Sequence, residues 1–286
     1  MTLVPPTLRR ARPGCRAADH TDPMIDAAAQ GFAAHQWAAM VAIAAAAGLM
    51  HGFVGIGFPL LATPLFGLLF GWRVAVALLV LPTLGVTCGA LWALRGQADL
   101  RAMLRTHWPL AVLMPFGVAA GVHALHVVPA DTLMLLMAGV MVAYLLLDRF
   151  GKTDLPAARA HPTLLAVPFG LAAGFCEGAL NVAGPMLLIY FLLLDLPVAS
   201  IIATLNWLFI AGKTVQSLLM AQRGALDASV LQATLPVGAV GVAFYFAGLS
   251  LRQRADPARY RGWLKATLAL MAAGLVLRVA IGGGAP

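Results

Sequence analysis

Residues Gly174 to Met186 read GFCEGALNVAGPM, an acid, an amide and a Gly-Pro step set among residues suited to lipid. Before them comes LLAVPFGLAA (164–173) and after them LLIYFLLL (187–194). A polar break inside such a run is either a defect that the fold tolerates or the place where the fold does its work. The rest of the chain bears on which.

The chain has 286 residues, 61% of them hydrophobic and 10% charged, with a mean hydropathy of +0.88. A water-soluble domain of this size carries about 25% charged residues. Apolar runs such as LMLLMAGVMVAYLLL (133–147) do not alternate as the strands of a membrane β-barrel would. The composition therefore predicts an all-α integral membrane protein.

Apolar segments run over 37–52, 58–71, 74–94, 108–126, 131–148, 163–177, 182–195, 197–221, 229–250 and 263–281. A full crossing takes about 20 residues. The first two segments, and the sixth and seventh, are short and separated by glycine-rich breaks. These two pairs hold corresponding places in a weak internal repeat. GLMHGF (48–53) resembles GLAAGF (170–175), and RGQADL (95–100) resembles RGALDA (223–228). The expected architecture is two inverted-repeat halves, 37–148 and 163–282, each beginning with a glycine-broken helix pair and joined by a cytoplasmic linker at 149–162.

Residues 1–36 are polar and carry Arg9, Arg10, Arg12 and Arg16. They are expected to be a disordered tail or a start-site artefact, with Met24 as an alternative start. No apolar core lies early enough for a secretory signal.

The net charge of +8 suggests nucleic acid in a soluble protein, but here it reads as membrane orientation. Suppose each short pair crosses twice or re-enters. Arg95, Arg101, Arg105, Arg149, Lys152, Arg159, Arg252, Arg254, Arg259, Arg261 and Lys265 then share one side, against Arg73 and Arg223 on the other. That eleven-to-two bias places the basic loops in the cytoplasm.

Ionisable groups at bilayer depth are costly and face the bundle interior with a partner. Glu177 follows Gly170 and Gly174, whose spacing permits close helix approach, so it should face another helix. In ATLNWLFIAGKTVQSLLM (203–220), Asn206, Lys213, Gln216 and Ser217 share a helical stripe. Glu177 and Lys213 are expected to pair, either to hold helices together or to take part in function. Asn181, Gly184 and Pro185 would break a helix and expose the N–H groups of the next one, an anion site without a dedicated arginine. The first-half counterpart is HGFVGIGFP (51–59), with Gly55, Gly57 and a His51 able to carry a proton or simply to pack. Paired breaks in matching positions point to a transporter's binding site, the alternative being two ordinary kinks. Thr83 and Thr87 could line the same cavity or bond back to their own helix.

These residues resemble the TauE/SafE family of sulfite-exporter-like permeases over nearly the whole hydrophobic region. The stronger element is GALNVAGPMLLIYFLLLDLP (178–197), similar to the family's second glycine–proline signature. The family's first element is usually a run of glycines, where this chain reads Gly55-Ile56-Gly57-Phe58-Pro59. At the second, Ala183-Gly184-Pro185-Met186 stands where Gly-Gly-Pro-Pro is common. The resemblance implies alternating-access transport of a small anion (sulfite, a sulfonate or a related organic acid) across a bacterial-type inner membrane.

The expected site is Gly55, Gly57, Asn181, Gly184, Pro185, Lys213 and Asn206 for substrate, with Glu177 and His51 for coupling or ion pairing. The partners are the anion and membrane lipid, with no nucleic acid, cofactor or metal. Two other classes remain: a thiol-disulfide carrier using Cys88 and Cys176, and a non-transporting assembly factor. No HExxH, GxSG or paired catalytic carboxylates suggest an enzyme.

Overall fold

The structure is a computed structural model that describes residues 32–55, 57–96, 100–150, 161–194, 198–252 and 257–282. The tail expected at 1–36 and the linker at 149–162 lie mostly outside the described residues. Within them the chain is all-helical, with no strand. In order the helices are α1 (Ala34–Val54), α2 (Phe58–Phe70), α3 (Trp72–Ala93), α4 (Leu100–Thr106), α5 (Trp108–Val127) and α6 (Ala130–Phe150). There follow α7 (Pro162–Leu180), α8 (Gly184–Leu194), α9 (Val198–Gln222), α10 (Ala228–Arg252) and α11 (Pro257–Gly282).

Five of these, α1, α3, α5, α7 and α10, are long and apolar enough to cross a membrane. Leu164, Leu235, Leu270 and Ile281 are each 71–74% exposed on the outside of the bundle, as lipid-facing residues are. The chain is a multi-pass membrane protein. In each glycine-broken pair only the second helix is short: α1 has 21 residues and α7 has 19, against 13 in α2 and 11 in α8. The sequence segments looked shorter because polar residues such as Gln36 and Glu177 sit inside the helices.

Proline sets several starts, because its missing N–H lies in the first turn, where no intrahelical partner is lost. Pro59, Pro109 and Pro162 open α2, α5 and α7 in this way. Between α2 and α3 a single residue, Gly71, turns the chain.

Two helix crossings are so close that backbone meets backbone. In α5 and α7, a Cβ on Gly117, Gly121, Gly174 or Gly178 would overlap the partner's main chain. In α1 and α10 the same holds for Gly48 against Gly241, Gly52 against Tyr245 and Gly248 against Leu49. Small residues at this spacing let dispersion contacts form along the whole crossing, which is what drives association in lipid.

The remaining contacts come in matching sets. α3 packs on α10 and α5 on α9; α2 touches α11 and α8 touches α6; α3 meets α9, and α6 meets α11. The starts of α2 and α8, and of α3 and α9, are 126 residues apart. Counted from the helix ends at Val54 and Leu180, Gly48 falls on Gly174 and His51 on Glu177. The short sequence match had set Gly48 against Gly170, about one helical turn away.

Arg73 donates to the Leu125 and His126 carbonyls, and Arg223 to the Val122 carbonyl, so both stand at the C-terminal end of α5. There they offset the partial negative charge of unsatisfied carbonyls. Arg278 reaches the Gly67 carbonyl near the end of α2.

Candidate functional site

The second break is built by Asn181. After Leu180 the backbone turns left-handed at Asn181 (φ 63°), the one non-glycine with positive φ among the described residues. Asparagine tolerates this conformation better than most residues. The Asn181 N–H bonds the Glu177 carbonyl, the 5→1 bond of an αL cap, and the Val182 N–H reaches the Cys176 carbonyl beside it. The turn leaves the Asn181 side chain fully buried. Its Nδ2 donates to Thr63 Oγ1 of α2 at 3.0 Å, and its Oδ1 accepts from Lys213 Nζ.

Lys213 is completely buried and sits among oxygens. Its Nζ lies 2.8 Å from Glu177 Oε1 and donates to Gln216 Oε1 at 2.8 Å. The other carboxylate oxygen, Oε2, accepts the Ala183 N–H at 2.8 Å, just before α8 begins. Gln216 donates in turn to the Glu177 and Gly178 carbonyls at 3.0 and 3.3 Å. The expected pair therefore forms, inside a network that ties α9 to the end of α7 and the start of α8. Losing one partner of such a buried pair strands a charge, at a cost of about 3–5 kcal/mol.

The first break has the same plan with neutral groups. Gly55 (φ 95°) ends α1, and Gly57 (φ 124°) leads into α2. His51 Nδ1 accepts the Phe58 N–H at 3.2 Å, which puts the ring proton on Nε2, facing Asn206 Oδ1 at 3.2 Å. Asn206 Nδ2 donates to the carbonyls of Gly55 and Ile202 at 3.2 and 2.9 Å. His51 and Glu177, each three residues from its helix end, thus each take a backbone N–H at the start of the following short helix.

The breaks meet. One cavity of about 20 Å³ is lined by Gly57, Pro59 and Leu60 from the first and Val182, Gly184, Pro185 and Leu188 from the second, with Tyr144 and Phe209. That volume holds about one water molecule, which is too little for an anion. Phe209 stands on α9 between Asn206 and Lys213, separated from them by about 4.5 and 6 Å along the axis. The Phe209 ring would contact a Cβ on Gly184 at 3.6 Å. The two polar clusters therefore flank the cavity residue from opposite directions along one helix.

Of the expected residues, Gly57, Gly184 and Pro185 line the cavity. Asn181, Lys213 and Glu177 form one cluster; Gly55, His51 and Asn206 form the other. Thr83 and Thr87 bond back to the Leu79 and Thr83 carbonyls of their own helix. Cys88 is exposed and Cys176 buried. No cluster of three metal-ligating side chains occurs among the described residues. Sequence reasoning missed Thr63 and Phe209. Phe209 was within reach, since it shares the stripe of Asn206 and Lys213, whereas nothing local in ATPLFG (62–67) marks Thr63.

The family model of the sulfite exporter TauE/SafE matches residues 40–275, which takes in both breaks and both clusters. No curated protein and no solved structure matches the chain. The chain belongs to the TauE/SafE family, a family of membrane transporters.

Proposed function

We propose that this TauE/SafE transporter carries small oxyanions, sulfite or a short sulfonate among them, through the cavity between its two breaks. The observation that carries the reading is the convergence of Gly57, Gly184 and Pro185 on one cavity, with the buried Lys213 about one turn beyond Phe209. Half-helix N-termini and a buried cation supply what an anion needs at membrane depth. A backbone broken there is tolerated because protein satisfies the freed groups.

Two inverted halves account for the matching helix contacts and for the 126-residue offset of α8 from α2 and of α9 from α3. The closest crossings, α5 with α7 and α1 with α10, join one half to the other. Rocking one sequence half against its twin would pull those crossings apart. The moving bodies are instead mixed: α1, α3 and α10 against α5, α7 and α9, each with its tight glycine crossing kept inside. The cavity then opens as the His51–Asn206 contact between α1 and α9 parts, whereas the Glu177–Lys213 contact stays within one body. The basic loops face the cytoplasm.

The test is flux. Purified protein in proteoliposomes should take up labelled sulfite and ethanesulfonate above the protein-free background, and Gly184→Val should abolish uptake while remaining folded. Wild-type flux in a well-folded Gly184→Val protein would sink this site.

A further inference from the structure

We infer that Glu177 is a built-in stand-in for the substrate anion, so that each anion is carried together with one proton; this rests on the anion-permease reading above. The carboxylate occupies the donors an incoming oxyanion would use. Its Oε1 holds Lys213 Nζ, and its Oε2 holds the Ala183 N–H at the mouth of α8. An anion and an ionised Glu177 cannot both have them.

Charge counting turns this competition into coupling. With the site empty, ionised Glu177 balances Lys213 and the buried network is neutral. If an anion entered beside the carboxylate, a net negative charge would be buried; if Glu177 were protonated with no anion, Lys213 would stand alone. Both are the stranded-charge condition that buried sites resist. The remaining state is neutral again: Glu177 takes up one proton to become a carboxylic acid, releases Lys213, and the anion pairs with the ammonium. Only the two neutral states can cross between inward-facing and outward-facing forms, which fixes one proton per monovalent anion, moving in the same direction.

The surroundings leave the role to Glu177. Among the described residues the ionisable groups near it are Lys213 on α9 and the neighbouring Cys176 thiol on α7. From α9 it meets Gly212 and the neutral Gln216, and just before α8 the Ala183 N–H, while Met114 of α5 lies against the same Gly212. His51 is engaged with Phe58 and Asn206 in the other cluster.

The experiment uses ethanesulfonate, which stays ionised across the working pH range and brings no proton of its own. Proteoliposomes holding the full chain, a pH dye and a potassium–valinomycin voltage clamp are given an inward ethanesulfonate gradient. The lumen should acidify by one proton per anion taken up, with uptake indifferent to the imposed voltage. Because binding takes up one proton, KM should rise by up to about tenfold per pH unit as pH increases. In Glu177→Gln the empty site holds Lys213 alone and cannot return, so proton flux and net uptake should be lost while ethanesulfonate-for-ethanesulfonate exchange persists without pH dependence. Anion uptake without protons, and driven by voltage, overturns the coupling and leaves the transport reading standing. No uptake of either ethanesulfonate or sulfite overturns both. If Glu177→Gln does not fold, the wild-type proton-to-anion ratio alone decides.

Discussion

Asn181 and Thr63 join the second break to the middle of α2 by a buried 3.0 Å hydrogen bond, and through Asn181 that link continues to Lys213. Thr63→Val keeps the shape but leaves the Asn181 amide without its acceptor. An unsatisfied buried donor costs about 1–3 kcal/mol, so thermal unfolding in detergent should shift down accordingly. Asn181→Gly, which keeps the left-handed turn but loses the side chain, should unfold at a higher temperature than Asn181→Ala. The alanine adds about 1–2 kcal/mol of backbone strain to the same loss. Equal stability of the two would mean that the turn geometry at Asn181 does not matter.

The Glu177–Lys213 pair calls for a double-mutant cycle. Glu177→Gln and Lys213→Met should each destabilise by about 3–5 kcal/mol, since each strands the other's charge. The double variant should lose far less than the sum, with a coupling above about 1 kcal/mol. Denaturant unfolding of the four proteins measures it. Additive losses would show that the charges are not paired in the folded membrane protein.

Room at the cavity can be separated from the integrity of the break. Gly184→Ala meets only the edge of Phe209 and should retain some transport. Gly184→Val should lose it, and adding Phe209→Ala should bring part of it back by returning space. Gly139 has nothing within 4 Å of an added Cβ, so Gly139→Val should transport normally. Rescue of flux in the Gly184→Val, Phe209→Ala double variant, measured in proteoliposomes, distinguishes steric closure from a damaged helix start.

Orientation is read by labelling. Cysteines placed at the exposed residues Thr106 and Gln222 should react with a membrane-impermeant maleimide from opposite sides, Thr106 from the cytoplasm and Gln222 from outside. Arg73 and Arg223 meeting at one end of α5 fits their expected place on the same side. Labelling of both positions from the same face of intact cells would refute the arrangement.

Most of the helices were legible in the sequence because lipid enforces long apolar runs, and the polar exceptions then mark interior faces. Glu177 and Lys213 could be matched on that ground alone, since neither could be left facing lipid. Thr63 could not, because a threonine in a helix bonds back to its own turn as readily as across an interface. The register in which the two sets of helices correspond was also out of reach. Gly170 and Gly174 lie one turn apart on the same face, so sequence similarity slides between them. The backbone contacts of α5 show Gly174 and Gly178 at the closest approach, with Gly170 facing side-chain atoms and the Leu110 Cα instead.

The crossing of α1 with α10 has a bearing on how the protein is made. Ribosomes deliver α1 first, yet the surface that receives Gly48 and Gly52 arrives only with residues 241–249, after most of the chain has been synthesised. Contacts so distant in sequence are slow to form, because a long loop must close before they reward it. During that wait the glycine face of α1 is bare to lipid or to the insertion machinery. A chain cut short before α10 would keep that face unclosed for good, and so would present quality-control proteases with a first helix that never finds its neighbour.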